Sequence, residues 1–295
     1  MREIACDESG YEGEKFIDTT KDVFAHASVL VDPAAAAVCL EELRRRVRSP
    51  AVQYKAGHLL REKSRPALEW FLGPGSGMPG HGHVYLIDKR YLVVRTLARL
   101  FDLDAEQLFR TGPARFGPDR WPHFLTAAND LLRAKEQPGV VDEFVRVAAG
   151  HLRVGRERAE LFRAWLREDP IRNSVLDPLV PAIAVAVDHW AGSGNPVTVA
   201  HDRQTQLPAA RVARLRELCG DRLAGVRFLD AGSHPRIQLA DMLAGTVRKI
   251  ASDERHGRAD SGLSELARPY VSPRSIWPAR PRTRDETADL RPAES

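Results

Sequence analysis

The chain has little cysteine: its three thiols, Cys6, Cys39 and Cys219, stand far apart and include no CxxC pair. That spacing supports neither a disulfide framework nor a thiolate zinc site, and three reduced thiols are expected. No apolar run approaches the length of a membrane span, so no membrane partner is expected. The opening Met1-Arg2-Glu3-Ile4-Ala5-Cys6-Asp7 turns acidic before the apolar core of a secretory leader forms, and a cytoplasmic protein is the expectation. A phosphate-binding loop lacks its lysine: Gly75 to Gly80 has the GxxxxG spacing, but His81 occupies the lysine position and no strand runs directly into the segment. Gly73 to His83 therefore reads as a flexible surface loop with His81 and His83 solvated on it. Ser76 and Ser193 have no nucleophile-elbow context and Cys6 has no placed base, which disfavours covalent serine or cysteine catalysis. The net charge of +4 permits a polyanionic partner without requiring one.

What is present is the composition of a soluble globular protein, 43% hydrophobic and 28% charged over 295 residues, long enough for one large domain with an insertion or for two ordinary domains. Glu3 to Asp7 alternates Ile4 and Cys6 with polar neighbours and predicts a first strand, followed by the turn residues Ser9, Gly10 and Gly13. Val23 to Val31 is a fuller strand, close enough to pair with the first as a hairpin, and His26 reads as a packed or edge histidine. Asp32-Pro33 predicts an N-cap and a first-turn proline for a helix carrying Val38, Leu40, Leu43 and Val47 inward, with Arg44, Arg45, Arg46 and Arg48 in its last turn. Beyond Ser49-Pro50, Val52-Gln53-Tyr54-Lys55 leads into a helix near Glu62 to Leu72. Val84 to Ile87 predicts a buried central strand ending in Asp88-Lys89.

Residues 91–195 show helical periodicity, broken at Thr111-Gly112-Pro113, Gln137-Pro138-Gly139 and Glu168-Asp169-Pro170. Trp121, Phe124, Leu131, Leu132, Phe144, Val145 and Val147, then Leu161, Phe162, Trp165 and Leu166, read as faces of a bundle core. Arg153, Arg156, Arg158, Arg163 and Arg167 fit a solvated helix face as well as a nucleic-acid contact. Leu179 to Trp190 is apolar enough to pack back on the main domain. Val197 to Ala200 then predicts a strand ending in His201-Asp202, Ala209 to Cys219 a helix capped by Gly220, and Val226 to Leu229 a last strand. A final helix is capped by Ser233, with Pro235 in its first turn. The expected organisation is a core of residues 1–90 and 196–252, a helical insertion over 91–195, and a loosely ordered or docked tail over 253–295.

Strand followed by aspartate recurs at Asp7, Asp88 and Asp202. In the last helix Asp241 shares a stripe with Ile237, Ala240, Ala244, Val247 and Ala251, where a carboxylate is unfavourable unless paired or metal-bound. Gln238 lies one turn before it. Hydrolysis of a phosphate ester by two metal ions needs several carboxylates to converge, because hard cations such as Mg²⁺ and Mn²⁺ take oxygen ligands and two ions ~4 Å apart must share the phosphate. Carboxylates at neighbouring strand ends plus one from a helix crossing the sheet meet that need. Glu8 would point away from Asp7 if the strand continues.

Asp7-Glu8-Ser9-Gly10, Lys55, Asp88-Lys89, Asp202 and Ile237-Gln238-Leu239-Ala240-Asp241 together resemble, in the expected order, the bacterial proteins catalogued as domain of unknown function 3800. The resemblance implies an α/β, ribonuclease H-like fold: a mixed sheet with antiparallel early strands, helices on its faces, and acidic residues that hold Mg²⁺ or Mn²⁺. It implies that Asp7, Asp202 and Asp241 are metal ligands and catalytic, with Glu8 and Asp88 as further ligands or supporting groups and Lys55 as a cation at the scissile phosphate. Ser9, Gln238 and Lys89 fall beside these motifs as substrate-contact candidates, Lys89 the more remote. The expected activity is a metal-dependent nuclease acting on DNA or RNA, in phage defence or mobile-element biology. The alternatives are a non-catalytic nucleic-acid or protein-binding module on the same fold, and a phosphohydrolase of small nucleotides. The insertion is read as a substrate clamp, a homodimer element or a platform for a protein partner.

Overall fold

Alternation of Ile4 and Cys6 with polar neighbours does produce the first strand, β1 (Arg2–Ser9), which runs two residues beyond the expected end at Asp7 and so includes Glu8 and Ser9. In the computed structural model, residues 2–13, 15–17, 19–48, 55–133, 137–168, 175–192, 194–203, 207–230, 232 and 234–279 are described. β1 pairs antiparallel with β2 (Val23–Val29), from Ala5 opposite Val29 to Ser9 opposite Ala25. Gly10 makes the exit from β1 possible: its φ is +90°, and a Cβ there would lie 2.3 Å from the Val23 carbonyl oxygen, so only glycine fits. β2 pairs antiparallel with β3 (Gly82–Asp88). On its other side β1 runs parallel to β4 (Val197–Asp202), which runs parallel to β5 (Leu223–Leu229), giving one mixed sheet of order β3-β2-β1-β4-β5.

Helices cover both faces, as a buried mixed sheet requires. On one face lie α1 (Pro33–Val47), α2 (Ala56–Leu59), α3 (Arg65–Leu72), the long α11 (Pro235–Arg255) and α12 (Ser261–Ala267). Their core takes Ala5, Ala25, Ala27, Val84 and Leu86 from the sheet. Between β3 and β4 come α4 (Lys89–Phe101), α5 (Ala105–Phe116), α6 (Arg120–Leu132), α7 (Val140–Ala148), α8 (Arg156–Glu168) and α9 (Leu179–Ala191), and between β4 and β5 comes α10 (Ala209–Cys219). These build the second core, with Ile4, Cys6, Phe24, Tyr85, Ile87 and Val199 from the opposite side of the sheet. α9 lies on β3, β2 and β4 as its apolar sequence predicts, and Trp190 Nε1 donates to the buried Ser28 Oγ at 2.8 Å. Among the described residues no helix is long and apolar enough to cross a membrane.

Local signals that satisfy backbone groups read correctly. Asp32 caps α1, accepting from Ala34 N at 2.8 Å and Ala35 N at 3.3 Å, with Pro33 in the first turn. α10 ends at Cys219 with Gly220 at its cap. Pro235 opens α11, while Ser233, expected as its cap, lies outside the described residues, as do Ser49-Pro50, Val52-Gln53-Tyr54 and Asp169-Pro170.

Other expectations are corrected. Thr111-Gly112-Pro113 does not break a helix but lies inside α5. A Cβ at Gly112 would come within 2.3 Å of the Trp121 ring, so α5 packs directly on α6, and that packing outweighs the local breakers. Val38 is 66% exposed, and Cys39 takes the inward position on α1. Leu161 and Trp165 of α8 are 63% and 41% exposed, and its buried face is Ala159, Arg163 and Leu166. Arg163 is therefore no surface charge: its guanidinium donates to the Leu131 carbonyl at 3.3 Å and to that of Arg133. His83 is not a loop residue but is buried in β3, stacked on His189 with centroids 4.1 Å apart. β3 is an edge strand rather than a central one, and residues of the expected tail close its open side. Ser272 N donates to Val84 O and Ile276 N to Leu86 O, both at 2.8 Å. The tail is thus docked through 277, and residues 280–295 lie outside the described set.

Candidate functional site

Side chains alternate across a strand, and this decides which carboxylates meet. Ala5 faces α11, so Asp7 and Ser9 do too. His201 sits beside Cys6 in the parallel pairing of β1 and β4, which turns the next residue, Asp202, to the Asp7 side. α11 crosses β1 on that side and brings Asp241. The electrostatics record the convergence. Burial, then Glu8, Asp241 and Asp202, push the Asp7 carboxyl well above the ordinary carboxylate range. Burial, then Asp202 and Asp241, push Glu8 up. Burial raises Asp241 as well, Lys55 opposes that rise and Asp202 adds to it. Two neighbouring parallel strands and one helix therefore gather Asp7, Glu8, Asp202 and Asp241, with the Lys55 ammonium beside Asp241.

The local bonds show how each group is held. Asp7 Oδ1 accepts from Glu8 N at 2.7 Å, and Asp202 Oδ1 from Arg203 N at 2.9 Å. Lys55, at the N-cap of α2, is exposed. α2 can approach because residue 245 is glycine: a Cβ there would lie 2.3 Å from the Ala56 Cβ and 3.8 Å from Ser9 Oγ. Glu8 leaves the strand on the His201 side, its Oε2 3.8 Å from Nε2 of the buried His201, yet its carboxyl is also hydrogen-bonded to the Asp7 side chain, which keeps it at the group. Burial lowers His201 to about 4. The neutral ring lies with Nδ1 3.0 Å from the Asp202 carbonyl oxygen, which accepts, so Nε2 presents its lone pair to Glu8.

Three candidates are engaged elsewhere. Asp88 caps α4, accepting from Tyr91 N at 3.0 Å, and pairs with Arg255 Nε at 2.5 Å. It is fully buried and its charge is spent on structure. Lys89 is 2% exposed, donates to Glu12 at 2.9 Å and lies over the Phe16 ring. The Gln238 amide donates to the Gly232 carbonyl at 3.0 Å, holding the entry to α11. Ser9 stays at the site, its Oγ accepting from Arg248 Nε at 3.0 Å.

Arg248, Arg255 and His201 are not singled out by motif. The signal for the two arginines is spacing: 241, 248 and 255 differ by seven, two helical turns, and so share one face of α11. For His201 the signal is its place one residue before Asp202 on a strand, which puts it on the opposite face.

The donor set is four carboxylates, the oxygen chemistry that Mg²⁺ and Mn²⁺ select. Among the described residues, no three His, Cys, Asp or Glu side chains already stand in a geometry that could hold a metal ion. A scan against protein-family models, a search of curated proteins and a search of solved structures each find no match.

Proposed function

We propose that this chain is a divalent-metal-dependent nuclease that hydrolyses phosphodiester bonds in DNA or RNA, on a ribonuclease H-like core with residues 91–195 as a helical insertion. The observation that carries the reading is the placement of Asp7 on β1, Asp202 on β4 and Asp241 on α11 toward one side of the sheet, with burial and the Asp202 charge raising Asp7, Glu8 and Asp241 alike. Buried carboxylates that raise one another are unfavourable for folding and suited to a cation. The mixed sheet, antiparallel at β1–β2 and parallel at β1–β4, supports the fold assignment, as does the resemblance carried by Asp7-Glu8-Ser9-Gly10 and Ile237 to Asp241.

Asp7, Asp202 and Asp241 would hold Mg²⁺ or Mn²⁺, with Glu8 at the margin. A bound ion supplies Lewis-acid stabilisation of the phosphate and lowers the pKa of bound water. The chain's own cations act on the substrate. Lys55, exposed beside Asp241, is placed to meet a phosphate oxygen and to stabilise the charge that develops on it. Arg248, anchored through Ser9, positions the turn after β1. Asp7 and Glu8 would have to be deprotonated to serve as ligands, so activity would rise with pH through their titration.

The test is cleavage of single- and double-stranded DNA and RNA by the purified chain with Mn²⁺, Mg²⁺ or EDTA. Metal-dependent cleavage that is abolished in Asp7→Asn and in Asp241→Asn is expected, and cleavage undiminished in both variants would sink the proposal. The separation of the carboxylates favours one second reading, a non-catalytic nucleic-acid-binding module. Salt-sensitive nucleic-acid binding, with no heat of Mn²⁺ binding in calorimetry, would select it.

A further inference from the structure

A cavity of about 840 Å³ lies on the side of the sheet away from Asp7. Its floor includes Tyr85 and Ile87, which belong with Ile4 and Cys6 to the core of that side. The sheet therefore separates it from the carboxylates. The volume falls in the range of small-molecule sites, ~300–1,000 Å³.

Its walls carry four arginines, Arg95, Arg99, Arg214 and Arg274, against a single aspartate among the described lining residues. Arg95 and Arg99, one turn apart on α4, both line it. Among the described residues neither has a carboxylate partner, whereas Arg214 and Arg274 on other walls are held by Glu217 at 2.9 Å and Asp188 at 2.7 Å. Among the described lining residues Asp177 is the one carboxylate; it accepts from Leu179 N at 3.1 Å and lies 3.7 Å from Arg211 Nε. The same cavity has an aromatic wall. Phe162 and Trp165 of α8 have ring centroids 5.8 Å apart and planes 26° apart, and Trp165 remains 41% exposed. Leu218, also 41% exposed, lines the same cavity. Large apolar side chains left in water around a concave, cationic space mark a binding site rather than a packing failure.

We propose that this cavity binds a 5′-phosphorylated nucleotide, its phosphates on Arg95 and Arg99 and its base against Phe162 and Trp165. Guanidinium groups one turn apart, with Cβ atoms about 6 Å from each other, offer two planar forks to the oxygens of one or two phosphates. Aromatic faces recognise any base by stacking. A fatty acid would present one carboxylate to two guanidinium groups and leave the rings unstacked. A nucleotide satisfies both walls. The inference is independent of the nuclease reading, because none of these residues belongs to the carboxylate site.

The test is calorimetry on the full chain in EDTA, which removes metal from the carboxylates, with ATP, AMP, adenosine, tripolyphosphate and a 5′-phosphorylated dinucleotide as probes. ATP or AMP should bind with one site per chain. Arg95→Ala combined with Arg99→Ala should weaken binding by about tenfold or more. Trp165→Leu should weaken the nucleotides and leave tripolyphosphate unchanged, and Asp7→Asn should leave every affinity unchanged. If the double variant does not fold, Arg99→Glu on the exposed end of the pair serves instead. Tighter binding of the dinucleotide than of AMP would place a strand end in the cavity rather than a free nucleotide. Absence of nucleotide binding up to about 1 mM, affinity unaltered in the arginine variants, affinity lost in Asp7→Asn, or tripolyphosphate matching ATP would each overturn the proposal.

Discussion

Replacing Asp7 with asparagine should make the metal-free protein more stable while removing its activity. In the unfolded chain Asp7 ionises near 3.8; in the fold its carboxyl is raised, by burial first and then by Glu8, Asp241 and Asp202. Between those two values the folded state binds the extra proton, so stability falls as pH rises through the window and stays low above it. Each unit of elevation corresponds to about 1.4 kcal/mol at neutral pH. The asparagine side chain would keep the Oδ1 acceptor that takes Glu8 N, bonded at 2.7 Å, and introduce no charge. A single unit of relief is worth about 3–5 °C in melting temperature for a chain of this size. The assay is thermal unfolding at pH 7 in EDTA, repeated toward pH 4, where the gap between variant and wild type should shrink because the pH then approaches the unfolded value near 3.8, at which the unfolded side chain also takes up its proton. Adding Mn²⁺ should raise the wild-type midpoint by mass action and leave the variant nearly unchanged. A midpoint at pH 7 that is unaltered or lowered in Asp7→Asn, or a gap independent of pH, would contradict this account of the site.

Arg255→Met leaves the fully buried Asp88 carboxylate without its ion pair, and urea unfolding should show a loss of about 3–5 kcal/mol with cleavage per folded molecule retained. Gly245→Val places side-chain atoms where Ala56 Cβ lies 2.3 Å from a Cβ at this position. It should displace α2 with Lys55, so that turnover falls at least about tenfold while far-ultraviolet circular dichroism stays native. His26, His83 and His201 are buried neutral, with His83 lowered to about 3 and His201 to about 4, all by desolvation first. Their folded pKa values lie below the unfolded value near 6.5, so their contribution is present above pH 6.5 and lost as pH falls below it. The raised carboxylates act in the opposite direction over the same window, so the check is a difference: the urea midpoint of His83→Phe should gain on that of the wild type as pH falls from about 7.5 to about 4.5.

Much of the scaffold is legible in the chain because the signals are local. Asp32-Pro33, Gly220 and Pro235 start or stop helices by satisfying or withholding backbone bonds, and the apolar runs at Val23, Val84 and Val197 are strands because such side chains pack on a pleated surface. Where tertiary packing competes with local preference, packing prevails. Gly112-Pro113 stays helical under Trp121, His83 leaves the expected loop for β3, and the exposed side of α8 is set by which helices it meets rather than by its own periodicity. Asp7, Asp202 and Asp241 could be proposed as one group from strand ends and a helical stripe, since periods of two and 3.6 assign faces, whereas Lys55 joins them only through the resemblance. Residue order alone specifies most of the elements, many of their apolar faces and the acidic residues placed on them. Which carboxylates share a space, the engagement of Asp88 and Lys89 by Arg255 and Glu12, and the arginine-lined cavity behind the sheet emerge only when the chain is folded. The reason is that pairing across the sheet and helix docking join residues more than 200 positions apart, from Asp7 to Asp241, and no local period encodes such a distance.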